Sequence, residues 1–187
     1  MRLIKETLTE ISKNFIKLAE ESTHQIDEAS NLIIDSLSRS GKIMFCGNGG
    51  SAADAQHLSA ELVGRYIKNR KPLASIALST DTSIITAISN DFSFDDIFSR
   101  QVQSIGNEGD VLYAISTSSK SKNVIAALKI ARSLKIKTIG VTGIDDSGFE
   151  GLCDIIINAP ASRPDRIQEM HIAIGQIICE ILEAELC

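Results

Sequence analysis

Apolar and polar positions along the chain alternate between two kinds of pattern. Residues 3–22 place Leu3, Ile4, Leu8, Ile11, Phe15, Leu18 and Ala19 at helical spacing, and residues 25–39 do so with Ile26, Ala29, Leu32, Ile33 and Leu37. Gly41 is expected to stop the second helix. KIMFCG (42–47) then reads as a strand covered on both faces, being short and continuously apolar. ASIAL (74–78), VLYAIS (111–116), TIGVTG (138–143) and DIIINA (154–159) are runs of the same kind. Helical patterns occupy about 51–68, 82–89, 94–105, 122–134 and 164–186. Strands alternating with helices imply right-handed crossovers and a parallel sheet. The expectation is a doubly wound α/β fold, a five-stranded parallel sheet flanked by helices and preceded by two N-terminal helices. Those two helices (1–40) carry more apolar face than one sheet has surface left to cover, so a contact between subunits is expected there. No linker, low-complexity tract or repeat interrupts the chain, and residues 1–187 are expected to form one domain.

Composition narrows the function. A formal net charge of -5 argues against nucleic-acid binding by bulk attraction, which needs a basic face. The N-terminus MRLIKETLTEISKNFIKLAEE is charged throughout and is not a signal peptide. No apolar run approaches the roughly 18 residues of a membrane-spanning helix, so a cytoplasmic protein without a membrane partner is expected. Cys46, Cys153, Cys179 and Cys187 show no CxxC spacing; free thiols are expected, with Cys46 and Cys179 buried.

The chemistry is expected beyond the carboxyl ends of the strands, where open parallel sheets bind ligands. CGNGGSAADAQH (46–57) follows the first strand. Gly47, Gly49 and Gly50 allow a tight turn with close backbone approach, Asn48 and Ser51 offer side-chain hydrogen bonds, and the next helix presents its N-terminus. A plain turn capped by Ser51 would read the same way. After the third strand, STSSKSKN (116–123) brings Ser116, Thr117, Ser118, Ser119 and Ser121 to a helix start, which suits a phosphate monoester. No Walker A lysine and no GxGxxG is present, so nucleotide hydrolysis and dinucleotide binding are not expected. His57 and Glu61 share one helical face and can bind a divalent metal or transfer protons; a surface pair has the same spacing. In RPDRIQEMHIAIGQ (163–176), Asp165, Gln168, His171 and Gln176 recur near one face of the last helix.

CGNGGSAADAQHLSAELVGRY (46–66), ISNDFSFDDIFSRQV (88–102), AISTSSKSKNV (114–124) and RIQEMHI (166–172) together resemble the phosphoheptose isomerases of the SIS (sugar isomerase) superfamily. The similarity covers nearly the whole chain, with four motifs in the right order. It implies a cytosolic homotetramer with active sites between subunits. Its reaction would convert sedoheptulose 7-phosphate to D-glycero-D-manno-heptose 7-phosphate, for the heptose of lipopolysaccharide core, capsule or other surface glycans. The resemblance also implies zinc, with His57, Glu61 and Gln168 as ligands and Gln176 at the place of the fourth. Substrate contacts would fall to Asn48, Gly49, Gly50, Ser51, Asn90, Asp91, Ser116, Thr117, Ser118 and Ser121, with Arg65 and Asp165 near the site. Glu61 is the candidate for proton transfer between C1 and C2, and Gln168 or zinc would hold the two oxygens.

Two positions depart from the family pattern. The family loop usually reads STSGxS, and Ser119 stands at the glycine; if that residue takes a positive φ, Ser119 carries modest strain. The family also has a histidine eight residues after the RIQE glutamine, as zinc ligand and second acid/base, and Gln176 stands there. An amide ligates weakly and does not shuttle protons near neutral pH. Three readings remain: an isomerase with Glu61 as sole acid/base, aided by His171; a disabled variant; or a non-catalytic SIS tetramer that binds a protein partner such as the replication initiator. Retention of His57, Glu61 and Gln168 together favours the enzyme.

Overall fold

The computed structural model describes all residues, 1–187. Helices α1 (Arg2–Glu21) and α2 (Thr23–Ser38) lead into β1 (Ile43–Gly47), α3 (Gly50–Val63), β2 (Ser75–Ala77) and α4 (Thr82–Asp91). A 3-10 turn at Phe94–Asp96 and α5 (Ser99–Ile105) precede β3 (Val111–Ile115), α6 (Lys122–Ser133), β4 (Lys137–Thr142), β5 (Ile155–Asn158) and α7 (Pro164–Leu186). The five strands pair in parallel in the order β2-β1-β3-β4-β5. This is the expected doubly wound sheet with two helices before it.

Side-chain alternation along the strands divides the core in two. Ile43 and Phe45 of β1 and Val111, Tyr113 and Ile115 of β3 join α2, α3 and α7 on one face. Met44, Cys46, Leu112 and Ala114 join α5 and α6 on the other. Every residue of β1 and β3 is buried, which is why their sequences read as unbroken apolar runs.

Some boundaries differ from the sequence expectation. The helix expected to reach 68 ends at Val63, because the following segment is tied elsewhere: Glu183 of α7 accepts the backbone N–H groups of Tyr66, Ile67 and Lys68. The stretch 94–105 divides into the 3-10 turn and α5. β4 and β5 are joined by turns, where no helical pattern is read, and the fully buried Phe149 fills the core there. At the end of α2 the left-handed residue is Ser40 (φ 65), while Gly41 follows with no room for a side chain beside Ser36.

Helix α1 docks lightly. Leu18 is its one buried residue, while Leu3, Ile4, Leu8 and Ile16 are 75%, 64%, 60% and 58% exposed. All four cysteines are free: Cys46 and Cys179 are buried, Cys153 is half-buried and Cys187 is exposed. No helix is long and apolar enough to cross a membrane.

α3 and α7 both start from the carboxyl edge of the sheet and lie side by side. They approach closely at Gly175, where an added Cβ would collide with the δ-methyl groups of the buried Leu58. Gly175→Ala is therefore expected to destabilise the fold by about 1–3 kcal/mol through overpacking, read as a lower Tm.

Candidate functional site

The strand order reverses between β1 and β3, since β1 connects outward to β2 and the chain then returns to place β3 on its other side. Loops leaving neighbouring strands diverge at such a point, and the crevice between them is where doubly wound sheets bind ligands. The two loops singled out from sequence flank it: Asn48–Ser51 after β1 and Ser116–Ser121 after β3.

The first loop depends on missing side chains. Gly49 caps α3 with φ 56 and ψ -119, a conformation open to glycine and costly for other residues. A Cβ on Gly50 would stand 2.6–2.9 Å from the carboxamide atoms of Gln168, so glycine there lets α7 bring Gln168 against the turn. Ser51 is buried inside the first turn of α3 and is not the N-cap; its N–H donates to the Asn48 carbonyl at 3.0 Å.

The second loop is held by its own hydroxyls. Ser116 Oγ and Ser121 Oγ are 3.0 Å apart. Ser119 adopts φ 55, the left-handed backbone a glycine would take more easily. Its hydroxyl is turned away from the helix start and accepts the Gly148 N–H at 3.1 Å. Thr117 and Ser118, with Lys120, Asp145, Ser162 and Ile167, line a cleft of about 400 Å³. Lys120 Nζ reaches Asp145 at 2.6 Å, and that bond, helped by Ser147, holds the Asp145 carboxyl down at about 2.

One residue passed over in the sequence joins the two loops. Asn123, in the first turn of α6, is buried and exchanges two hydrogen bonds with Asn48: each Nδ2 donates to the other's Oδ1 at 2.8 Å. Its signal was its place, two residues after Ser121 at a helix start. The partner, 75 residues earlier, is not visible from spacing.

Along α3, Gly50, Asp54, His57 and Glu61 form one stripe at helical spacing. His57 Nε2 and Glu61 Oε1 lie 3.0 Å apart, their side chains 49% and 22% exposed. Asp54, between this pair and the glycine turn, was also passed over. Burial pushes its carboxyl up to about 6, with His57 pulling the other way.

The remaining candidates are more dispersed. Gln176 is half-buried on α7, one residue past Gly175, and no hydrogen bond joins it or Gln168 to His57 or Glu61. Asp165, in the first turn of α7, is held below the usual carboxylate range mainly by its hydrogen bond from Arg163, with Arg166 also near. Asn90 and Asp91 end α4, exposed, the Asn90 amide donating to Asp91 at 2.8 Å. Asp95, just beyond, lies 4.0 Å from Lys122 at the start of α6. Arg65 is exposed past the far end of α3. His171 is 1% exposed, and burial pushes its imidazole down to about 4, so it is a neutral core residue and not a second acid/base.

The arrangement offers hydroxyls and helix starts at one end of α3 and an imidazole–carboxylate pair near the other. Asn123→Ala would leave Asn48 without its partner. It is expected to cost about 1–3 kcal/mol and to weaken inorganic phosphate binding, measured by thermal melting and by calorimetric titration.

Comparison with known proteins gives the family and the fold. The model of the SIS domain family matches residues 8–143. The chain is 50% identical over 173 residues to a phosphoheptose isomerase of Rhodospirillum rubrum, covering 92% of each chain. It is 50% identical over 180 residues to one of Nitratiruptor sp., covering 96% of each. Among solved structures, the phosphoheptose isomerase of Neisseria gonorrhoeae matches with TM-score 0.92 at 39% identity, and that of Francisella tularensis with TM-score 0.95 at 32% identity. Each of these covers 98% of both chains.

Proposed function

We propose a reaction for this chain from one premise: it belongs to the SIS domain family and, within it, to the phosphoheptose isomerases. It is a sugar-phosphate isomerase that converts sedoheptulose 7-phosphate to D-glycero-D-manno-heptose 7-phosphate in heptose synthesis. The observation that carries the reading is the His57–Glu61 pair on the helix that grows out of the glycine turn at the sheet's reversal point.

Moving the carbonyl between C1 and C2 needs a base at carbon and charge stabilisation at oxygen. Glu61 carries the proton. Asn48, Gly49, Gly50 and Ser51, with Ser116, Thr117, Ser118 and Ser121, hold the phosphate with hydroxyls and the starts of α3 and α6. Gln168, pressed against Gly50, presents its carboxamide to the sugar. Asn90, Asp91, Arg65 and Asp165 complete the substrate contacts. Glu61 lies eleven residues along α3 from Gly50, about 16 Å at the helical rise. A seven-carbon sugar phosphate, extended over about 10 Å from C1 to phosphorus at ordinary bond lengths, spans much of that separation, and the side chains gripping its two ends cover the rest.

His57 and Glu61 fit a divalent cation: one imidazole and one carboxylate at the bite of two adjacent ligands. No third His, Cys, Asp or Glu joins them, and the chain's own Gln168 stands at the glycine-turn end of α3, so Gln168 and Gln176 would complete the set, with weaker amide oxygens, only from a neighbouring subunit. A zinc ion held there would supply Lewis acidity to the oxygens at C1 and C2.

The whole chain is read as one SIS domain acting in the cytoplasm as a homotetramer with sites between subunits. The exposed apolar positions of α1 support that assembly, because an isolated subunit would leave them in water. The product feeds lipopolysaccharide core, capsule or a related surface glycan.

The test is turnover of sedoheptulose 7-phosphate by the purified protein, with and without zinc. Glu61→Gln is expected to lower kcat by about 10²–10⁴-fold with unchanged circular dichroism; near-normal activity would remove Glu61 from its role. Gln176→His is expected to tighten zinc binding by about tenfold or more, read by competition with a chromogenic chelator. Unaltered affinity would take position 176 out of the ligand set. No turnover by either the unmodified chain or Gln176→His would favour a partner-binding tetramer.

A further inference from the structure

Beyond the end of α3, the chain carries a buried charge network that the reaction does not use directly. Glu183 and Arg70 form an ion pair at 3.0 Å, each side chain 3% exposed. Glu183 Oε1 accepts the Tyr66 N–H at 2.8 Å and Arg70 Nε. Its Oε2 accepts the N–H groups of Ile67 at 2.9 Å and Lys68 at 2.8 Å. The Arg70 guanidinium also reaches carbonyls at the last turn of α3, Nη1 donating to Leu62 O and Nη2 to Glu61 O, both at 2.8 Å, while Nη1 donates to Lys71 O at 3.1 Å as well. Lys68 Nζ closes the network on the Glu183 carbonyl at 3.0 Å.

Burying two charges is costly, and replacing such a pair by apolar side chains is often neutral or stabilising. This pair is therefore explained better by what it positions than by what it adds to stability. Three successive amides converge on one carboxylate, fixing the backbone of 66–68 immediately after Arg65. A planar guanidinium then ties that turn to the carbonyl of Glu61 itself. Although desolvation pushes the Glu183 carboxyl up, the amides and Arg70 outweigh it and hold the group down at about 2. It is thus charged throughout the neutral range.

We propose that Glu183 and Arg70 are positioning residues for the proton-transfer end of the site, fixing the last turn of α3 so that Glu61 and Arg65 stand in working geometry. The inference rests on the isomerase reading and extends it to two residues that do not touch substrate.

Arg70→Lys keeps the charge against Glu183 but loses the planar fork that reaches both carbonyls. Displacements of about 1 Å at reacting groups cost up to about 10²-fold. The expected result is a fall in kcat of about tenfold or more, with the inhibition constant of inorganic phosphate changed less than about twofold. Phosphate reports on the loops at the opposite end of α3 and serves as the internal control. A lowered Tm with kcat unchanged would make the pair merely structural and overturn the proposal. So would equal losses in kcat and phosphate affinity, which mark a general disturbance. If Arg70→Lys does not fold, Glu183→Asp, which keeps the charge on a shorter stem, is read by the same measurements. Amide hydrogen exchange keeps the test separate from the isomerase reading itself. Faster exchange at residues 60–68 with protection kept at 50–56 supports the clamp even if the unmodified chain proves inactive on the heptulose. Unchanged exchange at 60–68 overturns it.

Discussion

Two parallel helices share one face of the sheet only because α3 and α7 meet where a glycine leaves room. At Gly50 the space is taken by the carboxamide of Gln168; at Gly175 it is taken by Leu58. The site is strung along this contact. The glycine turn and Gln168 lie at its upper end, and His57 and Glu61 face outward from α3 lower down. A side chain at Gly175 would push the helices apart at the buried Leu58, and one at Gly50 would displace the Gln168 carboxamide from the turn. Close packing thus sets the geometry before any polar interaction refines it.

The polar interactions then fix what packing leaves loose. The Asn48–Asn123 amide pair joins the loops after β1 and β3. The Ser119 hydroxyl joins the second loop to Gly148 in the β4–β5 connection, and Lys120 adds an ion pair to Asp145 beside it. Ser119 sits in a left-handed conformation that favours glycine, and its buried hydrogen bond offsets part of that cost. At the other end of α3, the Glu183–Arg70 network holds the chain as it leaves the helix. Loops at both ends of α3 are therefore tied to rigid elements.

The sequence reading succeeded where the governing interactions are local or periodic. Continuous apolar runs gave the five strands, because β1 and β3 are buried on both faces. Glycine and hydroxyl clusters marked both loops that flank the reversal point of the sheet. It overran at residues 64–68, since α3 is stopped by a carboxylate more than a hundred residues away. Asn123 was overlooked for a similar reason, its partner lying across the switch point. Asp54 reads from sequence as an ordinary helical aspartate; only its partial burial distinguishes it. His171 was credited with chemistry because helical spacing placed it near Gln168, but that spacing does not distinguish a side chain buried in the core from one lining the site.

The cysteines carry a practical consequence. Burial pushes the Cys153 and Cys179 thiols up to about 12 and Cys46 higher still. At neutral pH those three sulfurs stay protonated and unreactive. Cys187 alone is exposed, one residue past the end of α7 and beyond the turn that carries Glu183. The native chain therefore offers a single point for a maleimide dye or spin label. A probe there would report on the end of α7, and on any association of copies of the chain, without an engineered substitution near the glycine turn.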